Sequence, residues 1–210
     1  MTADINYQVE KYCFTEASES VRLTRQWADV MKVCREQQAV PEERLRFALL
    51  NVDYVTSFEL PFRLLLLRTP QLIAGLRREL PLSQKNVLFN GKRFGCVYSL
   101  KIDISGIPDE FQYHLSHRIR RTGPSGSTTK PYQQIAKSVK LPLERLKQAL
   151  ISGLEVTALD GLFWFGCQRL ALDVSRLRKA GLRIGTARKM VFDNITGTTR
   201  NIPVYHYDKN

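Results

Sequence analysis

The sequence lacks the patterns that mark several common classes of protein. Its four cysteines are scattered, with no Cys-x-x-Cys pair and no histidine at metal-ligand spacing, so a structural zinc site is not expected. The leucine run at 64–67 is far too short to cross a bilayer, and no signal peptide is recognisable. These absences predict a cytoplasmic protein with reduced thiols and no membrane partner.

Motifs of catalysis are also scarce. His114 and His117 are spaced to share one helix face, but no carboxylate beyond the same short segment completes a metal triad. The glycine-containing stretch 123–130 lacks the Gly-Lys-Ser/Thr order of a phosphate-binding loop, and no Ser/His/Asp grouping is suggested. We therefore expect a protein that is not an enzyme and that binds no metal, cofactor or small-molecule ligand.

Positive charge, by contrast, is plentiful. The chain holds 32 lysines and arginines against 20 acidic residues, a formal net charge of +12 at pH 7. The excess per residue is greatest in 131–210. Because each lysine or arginine placed on a phosphate releases condensed counterions, this charge indicates a polyanionic partner.

The most informative pattern lies near the end of the chain. Thr157 is a good N-cap for a short helix that breaks at Gly166, and a second helix resumes at Cys167 and ends before Gly181. Residues 183–192 and 199–207 are strand-forming segments joined by turn formers, which predicts a hairpin. A helix-turn-helix followed by a hairpin predicts a winged helix.

The second helix has two distinct faces. Apolar residues recur at spacings of three and four, and they predict a buried face made of Cys167, Leu170, Val174 and Leu177. The opposite face carries polar and basic residues, with Leu172 as the one apolar member, which a thymine methyl group or a partner would cover.

The same residues resemble a known family. Gly166, Arg169-Leu170-Ala171, Leu177-Arg178 and Gly181 are similar to the small helix-turn-helix domain common in bacteriophage and prophage proteins, over about residues 141–207. The resemblance implies double-stranded DNA binding and names no target. By this hypothesis the residues that approach base edges are Gln168, Arg169, Leu172, Ser175 and Arg176, and those that neutralise the backbone are Lys179, Arg183, Arg188, Lys189 and Arg200.

Residues 1–122 are predicted to form a separate helical domain with a hairpin. Helices are expected to open at Thr15, at Pro41 and at Thr69-Pro70, and a hairpin is expected to turn at Asn90-Gly91. Two interpretations of this domain stay open, a divergent helical module with its own wing or a mixed domain of other topology. Residues 110–121 predict a further short helix.

The composition of 123–130 predicts a linker, followed by a second domain at 131–210. Within it, residues 132–150 form another helix-turn-helix candidate, which we interpret as the leading helices of the winged domain. The expected fold class is α+β, with a helical, hairpin-containing N-terminal domain and a C-terminal winged helix.

The sequence as a whole predicts a sequence-specific DNA-binding protein that regulates transcription in a phage or other mobile element. The N-terminal domain is expected to form a homodimer. Two alternatives remain: a replication or partition protein that binds origin repeats through two winged-helix modules, and an adaptor whose winged helix binds protein.

Overall fold

A computed structural model describes residues 5–9, 13–14, 20–110, 113–114, 119–122, 129–193 and 195–208. The helices are α1 Val21–Glu36, α2 Pro41–Asn51, α3 Leu60–Arg63, α4 Thr69–Leu76, α5 Lys130–Ser138, α6 Pro142–Ile151, α7 Ala158–Asp160 with a π-helical turn Gly161–Phe165 after it, and α8 Leu170–Lys179. The strands are β1 Ile5–Val9, β2 Cys13–Phe14, β3 Val55–Thr56, β4 Ser83–Phe89, β5 Lys92–Ser99, β6 Tyr113–His114, β7 Ile119–Thr122, β8 Val156–Thr157, β9 Ile184–Asp193 and β10 Thr198–Tyr207. The fold is mixed, in agreement with the predicted α+β class.

The chain divides into two compact units. We call residues 1–8, 119–193 and 199–210 the terminal unit, and residues 9–118 and 194–198 the central unit. The division differs from the expected domains, 1–122 and 131–210, because both β1 and β7 belong with the C-terminal residues. The expected linker lies largely outside the described residues, and Lys130 at its end already begins α5.

The terminal unit is built on a five-stranded sheet of order β7-β1-β9-β10-β8. β8 is antiparallel to β10, with Thr157 opposite Val204, and β1 is parallel to β9, with Ile5 opposite Val191. The predicted C-terminal hairpin is therefore present as β9–β10. The core that supports it is apolar and includes Leu146, Leu150, Val156, Phe165, Leu170, Val174 and Leu177.

The predicted helix over residues 110–121 is wrong for the residues that the structure describes. Tyr113–His114 and Ile119–Thr122 are strands instead. β7 pairs with β1 at the edge of the sheet and buries Arg121, so long-range pairing overrides the local helix signal. The two leading helices predicted within residues 132–150 are confirmed as α5 and α6.

The central unit contains α1 to α4 and a three-stranded sheet of order β3-β5-β4. Its hairpin turns at Asn90 and Gly91, as predicted, and their φ angles of 50° and 68° are typical of a type I′ turn. α1 begins at Val21, where the hydroxyl of Ser20 accepts from the Leu23 amide at 3.1 Å; the predicted start, Thr15, lies outside the described residues. α2 begins at Pro41, as predicted.

The two units repeat one order of elements. α2, β3, α3, α4, β4 and β5 in the central unit correspond to α6, β8, the π-helical turn after α7, α8, β9 and β10 in the terminal unit, and the sheet orders β3-β5-β4 and β8-β10-β9 correspond as well. Residues 41–80 align without a gap with residues 142–181, and twelve of these forty positions carry the same residue. The twelve in the first copy are Pro41, Glu43, Arg44, Leu45, Ala48, Leu49, Val55, Thr56, Phe62, Arg68, Leu76 and Arg77.

The match extends to hydrogen bonds. At the start of the short helical segment the Thr56 amide donates to Oε1 of Glu59, and the Glu59 amide donates to the Thr56 hydroxyl, each at 3.3 Å. Thr157 and Asp160, the corresponding pair, exchange the same two bonds at 2.9 and 3.1 Å. This reciprocal capping box fixes where each helix-turn-helix begins.

The turns between the paired helices match as well. Leu65 and Gly166 occupy corresponding positions and both have a left-handed backbone, with φ of 53° and 74°. A glycine adopts this conformation without steric penalty, whereas a leucine is held there by its surroundings. The chain therefore contains two copies of one helix-turn-helix and hairpin pattern.

Candidate nucleic-acid interface

The helix predicted to read bases is α8, and its two faces lie as the sequence indicates. Leu170, Val174 and Leu177 are buried, together with Cys167 in the preceding turn. The candidate base-reading residues Gln168, Arg169, Leu172, Ser175 and Arg176 are all exposed. The helix begins at Leu170 rather than at Cys167, so Gln168 and Arg169 lie in the turn that leads into it.

Backbone geometry fixes both ends of α8. Gly166 makes the left-handed turn before it, and Gly161 has no Cβ because that atom would lie 2.9 Å from Cδ1 of Leu170. At the other end Gly181 has a φ of 90°, and the amides of Gly181 and Leu182 donate to the carbonyls of Arg178 and Leu177, both at 3.0 Å. This Schellman motif confirms Gly181 as the predicted stop.

A buried polar network holds the front of the helix-turn-helix. The Thr157 hydroxyl donates to Oδ2 of Asp160 at 2.8 Å and accepts a hydrogen bond from the Tyr7 hydroxyl. Nη1 of Arg121 lies 3.8 Å from the same carboxylate oxygen and also donates to the Glu155 carbonyl at 3.2 Å. β1 and β7 are thus tied to the segment that precedes α8.

Burial dominates the electrostatics of this network. It raises the pKa of the fully buried Asp160 carboxyl, and the nearby Arg121 guanidinium and the Thr157 donors oppose that rise. Burial also raises the pKa of Tyr7, and the negative charge of Asp160 adds to the effect. Tyr132 joins the network because its hydroxyl donates to the Glu155 carbonyl at 2.6 Å and accepts from Arg121. Burial raises its pKa as well, so Tyr7 and Tyr132 both stay protonated at neutral pH and serve as hydrogen-bond donors.

Two exposed side chains on α8 have distinct chemical properties. The Leu172 side chain is 44% exposed, which leaves it available to contact a methyl group. Nη1 of Arg176 lies 3.3 Å from Oδ1 of Asp173, while its side chain is 61% exposed. An exposed pair of this kind contributes little to stability, so Arg176 is free to exchange Asp173 for a base edge.

The predicted backbone-binding residues fall into two groups. Lys179, Arg183 and Arg188 are exposed. Lys189, in contrast, pairs with the Glu155 carboxylate, and Nη2 of Arg200 lies 3.1 Å from the buried Asp193 carboxylate. The last two residues have intramolecular roles, and their contact with phosphate stays a prediction.

Arg178, which lies between the candidate residues in sequence, has a structural role. Its Nε and Nη2 donate to the Ile184 carbonyl at 2.9 and 2.6 Å, and Nη2 also donates to the Thr186 hydroxyl at 2.9 Å. Arg77, the corresponding residue in the central unit, donates to Gln84 at the start of its own hairpin. In both copies this arginine links the end of the second helix to the start of the hairpin and so fixes their relative position.

The turn of the β9–β10 hairpin is buried. Residues 194–198 are grouped with the central unit, and the side chains of Ile195 and Thr196 are 1% and 5% exposed. The sequence did not predict this, because the turn formers in residues 193–197 are typical of an exposed tip. The candidate backbone-binding cations that are exposed here are Arg183, just before β9, and Arg188 within it.

Sequence reasoning missed both the internal repeat and the buried network. The repeat was detectable as Val-Thr at 55–56 and 156–157, each following Arg-Leu-x-x-Ala-Leu at the same distance. The partnership of Tyr7 and Arg121 with Asp160 left no local signal, since it depends on the strand pairing of β1 and β7.

Other classes of site are not evident in the described part of the chain. No group of three or more histidine, cysteine or acidic side chains is arranged to hold a metal ion among those residues. Within the same ranges, no helix is both long and apolar enough to cross a membrane. No protein-family model, curated protein or solved structure matches this chain.

Proposed function

We propose that this protein is a cytoplasmic, sequence-specific double-stranded DNA-binding protein that reads the major groove with α8. The observation that carries the proposal is the exposed side of α8 and its leading turn, where Gln168, Arg169, Ser175 and Arg176 lie together above an apolar inner face. An α-helix fits the major groove, and arginine and glutamine side chains have donor patterns that match guanine and adenine edges.

The order of elements supports a winged-helix arrangement. α6, β8, α7 with its π-helical turn, α8 and the β9–β10 hairpin follow one another, and β8 joins the hairpin beside β10. In that arrangement the second helix of the pair enters the groove and the hairpin lies along the backbone. Lys179, Arg183 and Arg188 then neutralise phosphates beside the groove, as the net charge of +12 favours.

The contacts divide into two kinds. Arg176 and Gln168 supply directional hydrogen bonds to base edges, and Leu172 supplies an apolar contact to a thymine methyl. The exposed cations fix the register of the protein on the duplex but carry no sequence information. No catalytic step is part of this function.

The process that we propose is regulation of transcription in a phage or other mobile element, as the resemblance implies. The repeated helix-turn-helix pattern favours a second candidate, a replication or partition protein that binds repeated origin sequences through two modules. A single operator upstream of a gene supports the first, and clusters of the recognised motif support the second.

Selection of bound sites from a random duplex library tests the proposal. The full-length protein is expected to enrich a motif that the Arg169→Ala/Arg176→Ala variant does not enrich. The control is Arg25→Ala/Lys32→Ala, which removes the same charge from the exposed side of α1. If the α8 variant enriches the same motif as the control, another surface reads the bases and the role of α8 is overturned. If the wild-type protein enriches no motif at any salt, an adaptor that binds protein becomes the better assignment.

A further inference from the structure

We propose that the central unit carries a second DNA-binding surface, formed by α4 and by the tip of the β4–β5 hairpin, so that one chain binds two segments of duplex DNA. The proposal rests on the proposed function of α8. It also extends that function to a region for which the sequence left open a dimerisation role or a divergent helical module with its own wing.

α4 repeats the burial pattern of α8. Leu66, Thr69, Ile73 and Leu76 are buried at the positions that correspond to Cys167, Leu170, Val174 and Leu177. Every residue from 68 to 79 has the same burial class as its counterpart from 169 to 180. The same side of the second helix is therefore free of packing in both copies.

The free side of α4 is suited to a nucleic acid. Arg68 corresponds to Arg169, Gln71 to Leu172 and Arg78 to Lys179, and all three central-unit residues are exposed. Glutamine makes paired hydrogen bonds to adenine, and the two arginines are placed at either end of the helix, where the strands of a duplex would pass. Ala74 and Gly75 lie between them and permit close approach.

The hairpin supplies a second basic contact. Lys92 and Arg93 are exposed just after the Asn90-Gly91 turn. The tip is held in place because the Gly91 amide donates to Oε1 of Glu110 at 2.9 Å and the Leu88 amide donates to the Asp109 carbonyl at 2.7 Å.

The neighbouring charges do not cancel this basic tip. The Asp109 carboxylate pairs with Nζ of Lys85 at 2.8 Å. The Glu110 carboxylate accepts from the Gly91 amide and keeps its charge, so Lys92 and Arg93 leave one excess positive charge at the tip. Nη2 of Arg93 lies 3.6 Å from Sγ of Cys96, a weak contact that leaves the guanidinium available. A pair of exposed cations on an ordered hairpin tip is suited to contact the phosphate backbone, because lysine and arginine side chains bind phosphate oxygens whatever the base sequence.

The sign and placement of these charges favour duplex DNA over a protein partner. Arg68 and Arg78 flank the free side of α4 as Arg169 and Lys179 flank that of α8. Lys92 and Arg93 add two cations at the hairpin tip, where the β9–β10 hairpin carries none. This placement suits a helix that inserts into the major groove while the cations on either side contact the DNA backbone.

Salt-dependent binding of full-length variants tests the proposal. The DNA is the duplex selected by the wild-type protein together with its flanking sequence. The variants are Arg68→Ala/Arg78→Ala on α4 and Lys92→Ala/Arg93→Ala on the hairpin, and the control is Arg25→Ala/Lys32→Ala on α1. All six positions are exposed, so thermal unfolding of the variants is expected to match that of the wild type.

Each central-unit variant is expected to bind at least about tenfold more weakly at 0.15 M salt, and the slope of log K against log salt is expected to fall in magnitude by about two. The control is expected to change affinity by less than about threefold. If the central-unit variants match the control, this surface does not bind DNA and the proposal is overturned.

The outcome is separable from a failure of the proposed function. Loss of binding in Arg169→Ala/Arg176→Ala, with central-unit variants equal to the control, leaves α8 as the reader and removes only the second surface. The reverse result, in which only the central-unit variants lose binding, retains the second surface and overturns the role of α8.

Discussion

The two helix-turn-helix copies in this chain differ on their exposed sides. The face of α8 carries Arg169, Arg176 and Lys179, whereas α4 carries Arg68, Gly75 and Arg78 at the matching positions. At the hairpin turns the central unit has the more exposed positive charge. Ile195 and Thr196 in the β9–β10 turn are buried, whereas Lys92 and Arg93 beside the β4–β5 turn are exposed.

The inner residues differ much less. Leu45, Ala48, Leu49, Val55 and Thr56 are buried and recur unchanged in the terminal unit. Packing and helix capping therefore maintain the same fold in both copies. The exposed side chains are not constrained by this packing, and they differ between the copies. The exposed side of α8 therefore carries one cation more than that of α4, and the central unit carries two at its hairpin tip.

The largest expected difference between the copies is in stability. Asp160→Ala removes the partner of the buried Arg121 and is expected to lower the free energy of unfolding by about 3 to 5 kcal/mol. Thr56→Ala removes a capping hydroxyl, which accepts a hydrogen bond from the Glu59 amide at 3.3 Å, and is expected to lower it by about 0.5 to 2 kcal/mol. Denaturant unfolding of both variants checks the order, and equal losses would contradict a special role for the network.

Arg200 is expected to matter for folding rather than for DNA. Arg200→Ala leaves the buried Asp193 carboxylate without this partner, so the free energy of unfolding is expected to fall by about 1 to 3 kcal/mol. Lys92→Ala, on the other hairpin, is expected to leave stability unchanged. Thermal unfolding of the two variants measures the difference in stability. Arg200→Lys, which keeps the positive charge, is the control.

Single substitutions on α8 are expected to change specificity. Arg176→Ala is expected to weaken binding to the selected duplex by about 1 to 3 kcal/mol and to relax the preference at one base pair. Competition titrations with specific and random DNA measure both quantities. Equal losses on the two DNAs would show that Arg176 contacts phosphate instead.

The smallest expected effect is a gain in the central unit. A Cβ at Gly75 meets no atom within 4 Å, so Gly75→Arg introduces the side chain found at Arg176 without a clash. Binding is expected to tighten several-fold relative to Gly75→Ala, which controls for helix propensity of about 1 kcal/mol. The charge control is Ala28→Arg on α1; a similar gain there would show that any added cation suffices.

The sequence was most informative where the signal is local. The cap at Thr157, the stop at Gly181 and the turn at Asn90-Gly91 depend on a few adjacent residues, and the structure confirms all three. The two faces of α8 were also predictable, because helical periodicity places Leu170, Val174 and Leu177 on one side.

The long-range features were not predictable in the same way. The pairing of β1 with β9, and the partnership of Arg121 with Asp160, join residues far apart in the chain, and no local propensity encodes them. The predicted helix over residues 110–121 failed for that reason. The repeat was visible in the sequence but required an alignment of the chain with itself.

Hydroxyl-radical footprinting of the full-length protein on its selected duplex tests most directly whether both copies bind DNA. We predict two protected patches for the wild type, loss of one patch in Arg169→Ala/Arg176→Ala, and loss of the other in Arg68→Ala/Arg78→Ala. A single patch that survives every change in the central unit, and disappears only with α8, would contradict the account.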